Sequence, residues 1–73
     1  MKPTPAQIAK LHERAVFKIQ MSDDCGGHKL TIDDKISMKK EVREVKFHRE
    51  IQRTKLNMLQ SLAERIIEDG YEL

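Results

Sequence analysis

Asp23, Asp24, Cys25 and His28 crowd into one short stretch of the chain, and His12 and His48 are the only other histidines. Thiolate, imidazole and carboxylate side chains in such proximity suggest either metal binding or a cysteine nucleophile activated by histidine. The ligand set for a structural zinc is incomplete, because those sites draw four Cys or His ligands from paired motifs. A Cys25–His28 or Cys25–His12 pair would sit on the flexible Gly26-Gly27 segment, which offers nothing to fix the geometry of a nucleophile and its base. The expectation is an exposed loop over residues 22–31 with no metal, no cofactor and no catalytic residue.

The second pattern is cationic. Lys39, Arg43, Lys46, Arg49 and Arg53 recur at steps of three or four, with Lys40 and Lys55 flanking them. On a helix these positions form one basic face, beside which Phe47 and Ile51 supply apolar anchors. Such a face meets an acidic protein surface or a phosphate backbone, where a row of charges steers encounter and sets orientation. The alternative is a solvated face laced by weak ion pairs such as Lys46–Glu50 and Glu50–Arg53. The candidate partner-binding set is therefore Lys39, Arg43, Lys46, Arg49, Arg53, Phe47 and Ile51.

Composition narrows the classes of function. A chain of 73 residues forms one domain, 1–73, with a thin core. A three-helix domain of this size can hardly enclose the ~300 Å³ or more of a small-molecule site, so no enzyme and no small-molecule substrate are expected. Lys and Arg number 14 against 12 Asp and Glu, a net charge of +2 that falls short of the excess typical of dedicated nucleic-acid binders. The distribution is uneven, with a basic centre and an acidic tail. The single Cys25 excludes an intramolecular disulfide and suits a reducing cytoplasm. No apolar run reaches the ~18 residues of a membrane span. Phe17, Phe47 and Tyr71 are too few and too scattered to form a base-stacking platform.

The elements that would position these residues read as mainly α: two to three helices with a glycine-containing loop after the first. Thr4 caps, Pro5 takes the first helical position and Gln7 completes a capping box. Ile8, Leu11, Ala15 and Ile19 then follow at helical spacing, so the first helix is expected to reach about Met21. Thr31-Ile32-Asp33-Asp34 reads as a second helix cap in preference to an extended Lys29–Ile32 segment. From Ile32 to Asp69 there is no Gly or Pro, and helix is favoured throughout. Unbroken, that helix would be about 57 Å long, so a break is placed at Gln52–Lys55 or just before Phe47. A strand over Glu41–Phe47 is the disfavoured alternative, since its alternation fails between Val42 and Val45. Gly70 is a left-handed cap, and residues 70–73 are a frayed tail.

From Met1-Lys2-Pro3-Thr4-Pro5-Ala6-Gln7, through Asp24-Cys25-Gly26-Gly27-His28, to Asp69-Gly70-Tyr71-Glu72-Leu73, the sequence resembles the small transcription regulators of lytic Xanthomonas phages. The resemblance spans the whole chain. It implies a protein that binds host bacterial RNA polymerase in the host cytoplasm, inhibits σ-dependent initiation and promotes antitermination. The implied partners are the β′ N-terminal region and the RNA exit region, and direct contact with nascent RNA is left open. No contact residues carry over from the resemblance, so the candidate surface remains the basic face.

Overall fold

The computed structural model describes residues 2–21 and 27–73. The chain runs α1 (Pro5–Arg14), β1 (Val16–Met21), β2 (His28–Asp34), β3 (Lys39–Val45), a single 3₁₀ turn at His48–Glu50, and α2 (Ile51–Glu68). The three strands form one antiparallel sheet in the order β1-β2-β3. The expected mainly α domain of two to three helices is therefore corrected to an α+β fold, with a helix at each end of the sequence and a β-meander between them.

The start of α1 follows the sequence closely. The Gln7 amide donates to Thr4 Oγ1 at 3.2 Å, and the Thr4 amide donates to Gln7 Oε1 at 2.8 Å, closing the capping box. The helix ends at Arg14 rather than Met21. From Val16 the apolar residues Phe17, Ile19 and Met21 alternate with Lys18 and Gln20, and this period of two dominates. The register pairs Phe17 with Ile32 and Ile19 with Leu30, then Ile32 with Glu41 and Leu30 with Arg43.

His28–Asp34 is a strand, so the second helix cap is corrected and the expected 22–31 loop loses its last residues to β2. Leu30, Ile32 and Asp34 point inward and are buried. The loop residues Asp23, Asp24 and Cys25 lie outside the described residues. β3 takes the place of the long helix expected from Ile32 onward: a strand does form here, as in the disfavoured alternative over 41–47, but it runs over Lys39–Val45 and leaves Lys46 and Phe47 in the turn beyond it. Helix propensity loses here because the pleat buries both Glu41 and Val45 on the inner face, where Arg65 of α2 receives the carboxylate.

α2 is unbroken through Gln52–Lys55, so the first break site is corrected. The chain turns instead at residues 46–50. Met58, Leu59, Leu62, Ala63 and Ile66 of α2 close over Leu30, Ile32 and Val45, with Leu11 of α1 beside them. At its C-terminus the Gly70 amide donates to the Ile67 carbonyl and the Tyr71 amide to that of Ile66, with Gly70 at φ +88°. That is the paired bonding of a Schellman cap, which needs the left-handed conformation glycine adopts without strain. Beyond it, Leu73 packs against the core. Among the described residues, no helix is long and apolar enough to cross a membrane.

Candidate docking surface

The expected basic face does not exist as a helical stripe, because its members divide among β3, the turn after it and α2. Lys39 and Arg43 stand on the inner side of β3 and serve the fold. Lys39 pairs with Asp69 just past α2, and Arg43 lies 3.1 Å from Glu41 Oε2. The same Glu41 receives Arg65 Nη1 at its other oxygen, Oε1. Ile51 is corrected from partner anchor to core residue, since it is buried at the first turn of α2. Lys46, Phe47, Arg49 and Arg53 remain exposed and make no ion pair among the described residues.

These four occupy one end of the molecule, and the local structure explains why they are held there. Val45 and Ile51, both buried, anchor the two ends of the 46–50 segment. Between them the Glu50 amide donates to the Phe47 carbonyl at 3.0 Å, and the Phe47 amide donates to Glu50 Oε2 at 3.3 Å. The Arg49 guanidinium lies 5.2 Å from the centre of the Phe47 ring, within cation–π range, and half of Phe47 remains accessible. His48 meets His28 edge to face at 5.8 Å between ring centres. The segment is thus a short, pinned turn that displays cations and one aromatic ring.

The charge of this end is unbalanced. An amide-rich helix N-terminus carries a partial positive charge, and acids there are the usual complement. α2 has Glu50 at its N-cap but no acidic residue in its first turn, while Arg49 and Arg53 flank that end. One acid against Lys46, Arg49 and Arg53 leaves this end of the fold net cationic. Such an arrangement favours an anionic partner.

Two further features of the surface had no sequence signal in the basic pattern. Between α1 and α2 lies an apolar groove of about 360 Å³, lined by Pro5, Ile8, Ala9, Leu56 and Leu59, with His12 and Lys55 as its titratable groups. Lys55 also reaches over the Phe17 ring of β1, 4.5 Å from its centre. The other feature is buried. Asp34, with no accessible surface, accepts from Arg14 Nε and Nη2 and from the Ser37 amide and hydroxyl. Burial alone would raise the Asp34 pKa. The Ser37 hydroxyl, the Arg14 guanidinium and the Ser37 amide outweigh it and hold the carboxyl below its ordinary value of 3.8. These contacts join α1, β2 and the β2–β3 turn, so they organise the fold.

Among the described residues, no group of three or more His, Cys, Asp or Glu side chains is placed to hold a metal ion. His28 and His48 adjoin, whereas His12 lies on the α1–α2 groove. Comparison of the chain with family models, with curated proteins and with solved structures returns no match.

Proposed function

We propose that this chain is a non-catalytic regulator that docks onto host bacterial RNA polymerase in the host cytoplasm, inhibits σ-dependent initiation and promotes antitermination near the RNA exit region. The observation that carries the reading is the pinned cationic and aromatic end formed by Lys46, Phe47, Arg49 and Arg53 at the N-terminus of α2. Anchored aromatic and arginine side chains are the residue types that dominate binding energy at protein interfaces. Cations gathered at a helix N-terminus suit an acidic surface or the phosphates of emerging RNA. The resemblance of the whole sequence to small phage transcription regulators supplies the identity of the partner. A marginal domain of this size also gains stability by binding, as any ligand of the folded state confers.

The test is reconstituted transcription with purified host polymerase. Addition of the chain should abolish σ-dependent open complexes and raise read-through at an intrinsic terminator, and the tagged chain should retain core enzyme. Failure to form a polymerase complex at micromolar protein overturns the reading. Tight, steeply salt-dependent binding to naked RNA without polymerase would point instead to direct phosphate recognition.

A further inference from the structure

The two edges of the sheet are treated differently. Along β3 the Arg65 guanidinium donates to the Lys40 carbonyl at 3.3 Å, and the Arg43 guanidinium donates to the Val42 carbonyl at 3.2 Å. Those outward carbonyls are occupied, and the strand is dense in charge, with Lys39, Lys40, Glu41, Arg43 and Glu44. Both devices protect an edge against pairing with another chain. β1 has neither. Its sequence from Val16 to Met21 holds a single charge, Lys18, and no proline. Among the described residues no side chain bonds to its backbone and no strand lies outside it.

β1 is also apolar on the side that faces the helices; Phe17 packs against the core beneath Lys55, but beyond it the helices leave Ile19 and Met21 uncovered. Phe17, Ile19 and Met21 share that side, because they pair across the ladder with Ile32, Leu30 and His28. Ile19 is 47% exposed and Met21 is 73% exposed. An unguarded strand with a bare apolar row is the surface that strand addition requires, with backbone bonds giving affinity and alternate side chains giving selectivity.

We infer that β1 is an acceptor edge for an extended segment of the docking partner, in which apolar residues alternate with acidic ones. The alternation follows from the two faces. Apolar side chains of the added strand would lie beside Phe17, Ile19 and Met21. On the opposite face the alternate side chains would meet Val16, Lys18 and Gln20, with Asp33 in register behind Val16 and Lys29 behind Gln20. Acidic residues beside Lys18 and Gln20 complement the Lys18 and Lys29 charges. A second copy of the chain fits less well: with Ile19 opposite Ile19, each Lys18 faces the partner's Gln20 and the two Lys18 ammonium groups become diagonal neighbours. The inference rests on the docking reading above and names the kind of segment that docks.

A synthetic peptide alternating glutamate and valine, with a lysine and valine peptide as control, tests this on the full chain without polymerase. Alternate amides of β1 should become protected from hydrogen exchange when the acidic peptide is added, and their resonances should shift. Lys18→Glu, an exposed change, should weaken the acidic peptide about fivefold or more and favour the basic one. Lys40→Glu on the guarded edge should leave the acidic peptide's affinity unaltered. Protection at β3 or in the α1–α2 groove instead of β1, indifference to Lys18→Glu, or concentration-dependent protection of β1 without peptide would each overturn the inference. Because polymerase is absent, that failure leaves the polymerase reading standing, while failure of the polymerase assay leaves the acceptor edge standing.

Discussion

Arg14 grips both oxygens of the Asp34 carboxylate, with Nε 3.0 Å from Oδ1 and Nη2 2.9 Å from Oδ2, and so fastens the last turn of α1 to the end of β2. Asp34 is fully buried, whereas Arg14 retains a little access to solvent. Replacing Asp34 with asparagine keeps the shape but leaves the guanidinium without its counter-charge. Breaking a buried pair in this way costs about 3 kcal/mol, at the low end of such cases because Arg14 is not wholly enclosed. The whole domain is worth roughly 4–11 kcal/mol at this length. Urea unfolding of Asp34→Asn should therefore show a large drop in midpoint, and an unchanged midpoint would refute the role assigned to the pair.

The same pair sets a dependence on acid. The folded carboxyl titrates below its ordinary value of 3.8, so at low pH the unfolded chain takes up the proton first. Its contribution to stability is complete above the unfolded pKa and is lost as the pH falls through the lower, folded one. Urea midpoints of the natural chain and Asp34→Asn, measured from neutral pH down past 3.8, should converge in acid. Parallel curves over that range would show that Asp34 is not responsible.

What the sequence discloses about this fold is uneven, and the reasons are local. Thr4, Pro5 and Gln7 specify the start of α1 through contacts within one turn, and Gly70 specifies the end of α2 in the same way. β1 was legible in principle, since Phe17, Ile19 and Met21 alternate with polar neighbours. The spacing of Ile8, Leu11, Ala15 and Ile19 happens to satisfy a helix as well. β3 was legible only as a disfavoured alternative, because Glu41 and Arg43 occupy its inner face, and the place of Glu41 there depends on Arg65, more than twenty residues away. The cationic residues were found from sequence, but their assignment to one helical face was not correct. Lys39 and Arg43 belong to ion pairs that pair spacing alone could not foresee, and Ile51 belongs to the core.

Met38 ends the β2–β3 turn at φ +61°, a left-handed conformation in a residue with a full side chain, and it is 83% exposed. An L-residue there bears roughly 1–2 kcal/mol of steric cost, which glycine removes. Glycine in turn loses about 0.5–1 kcal/mol more conformational entropy on folding. Met38→Gly should thus stabilise the chain by about 0.5 kcal/mol, seen as a higher urea midpoint with an unaltered slope. A lower midpoint would mean that the Met38 side chain contributes packing despite its exposure.

Arg49 and Ile51 stand two residues apart and should answer to different assays. Ile51 is buried at the head of α2, so Ile51→Ala should cost roughly 2–4 kcal/mol and weaken polymerase binding only to the extent that it unfolds the chain. Arg49 is exposed beside Phe47 and bears on the fold through that ring alone. Arg49→Glu gives up a cation–π contact of about 0.5–1 kcal/mol but places an acid near a helix N-terminus, which restores a similar amount. Its urea midpoint should stay close to that of the natural chain while polymerase retention falls about tenfold or more, by analogy with arginine anchors at other interfaces. If Arg49→Glu binds polymerase as the natural chain does, the cationic end of α2 is not the docking surface, whatever Ile51 shows.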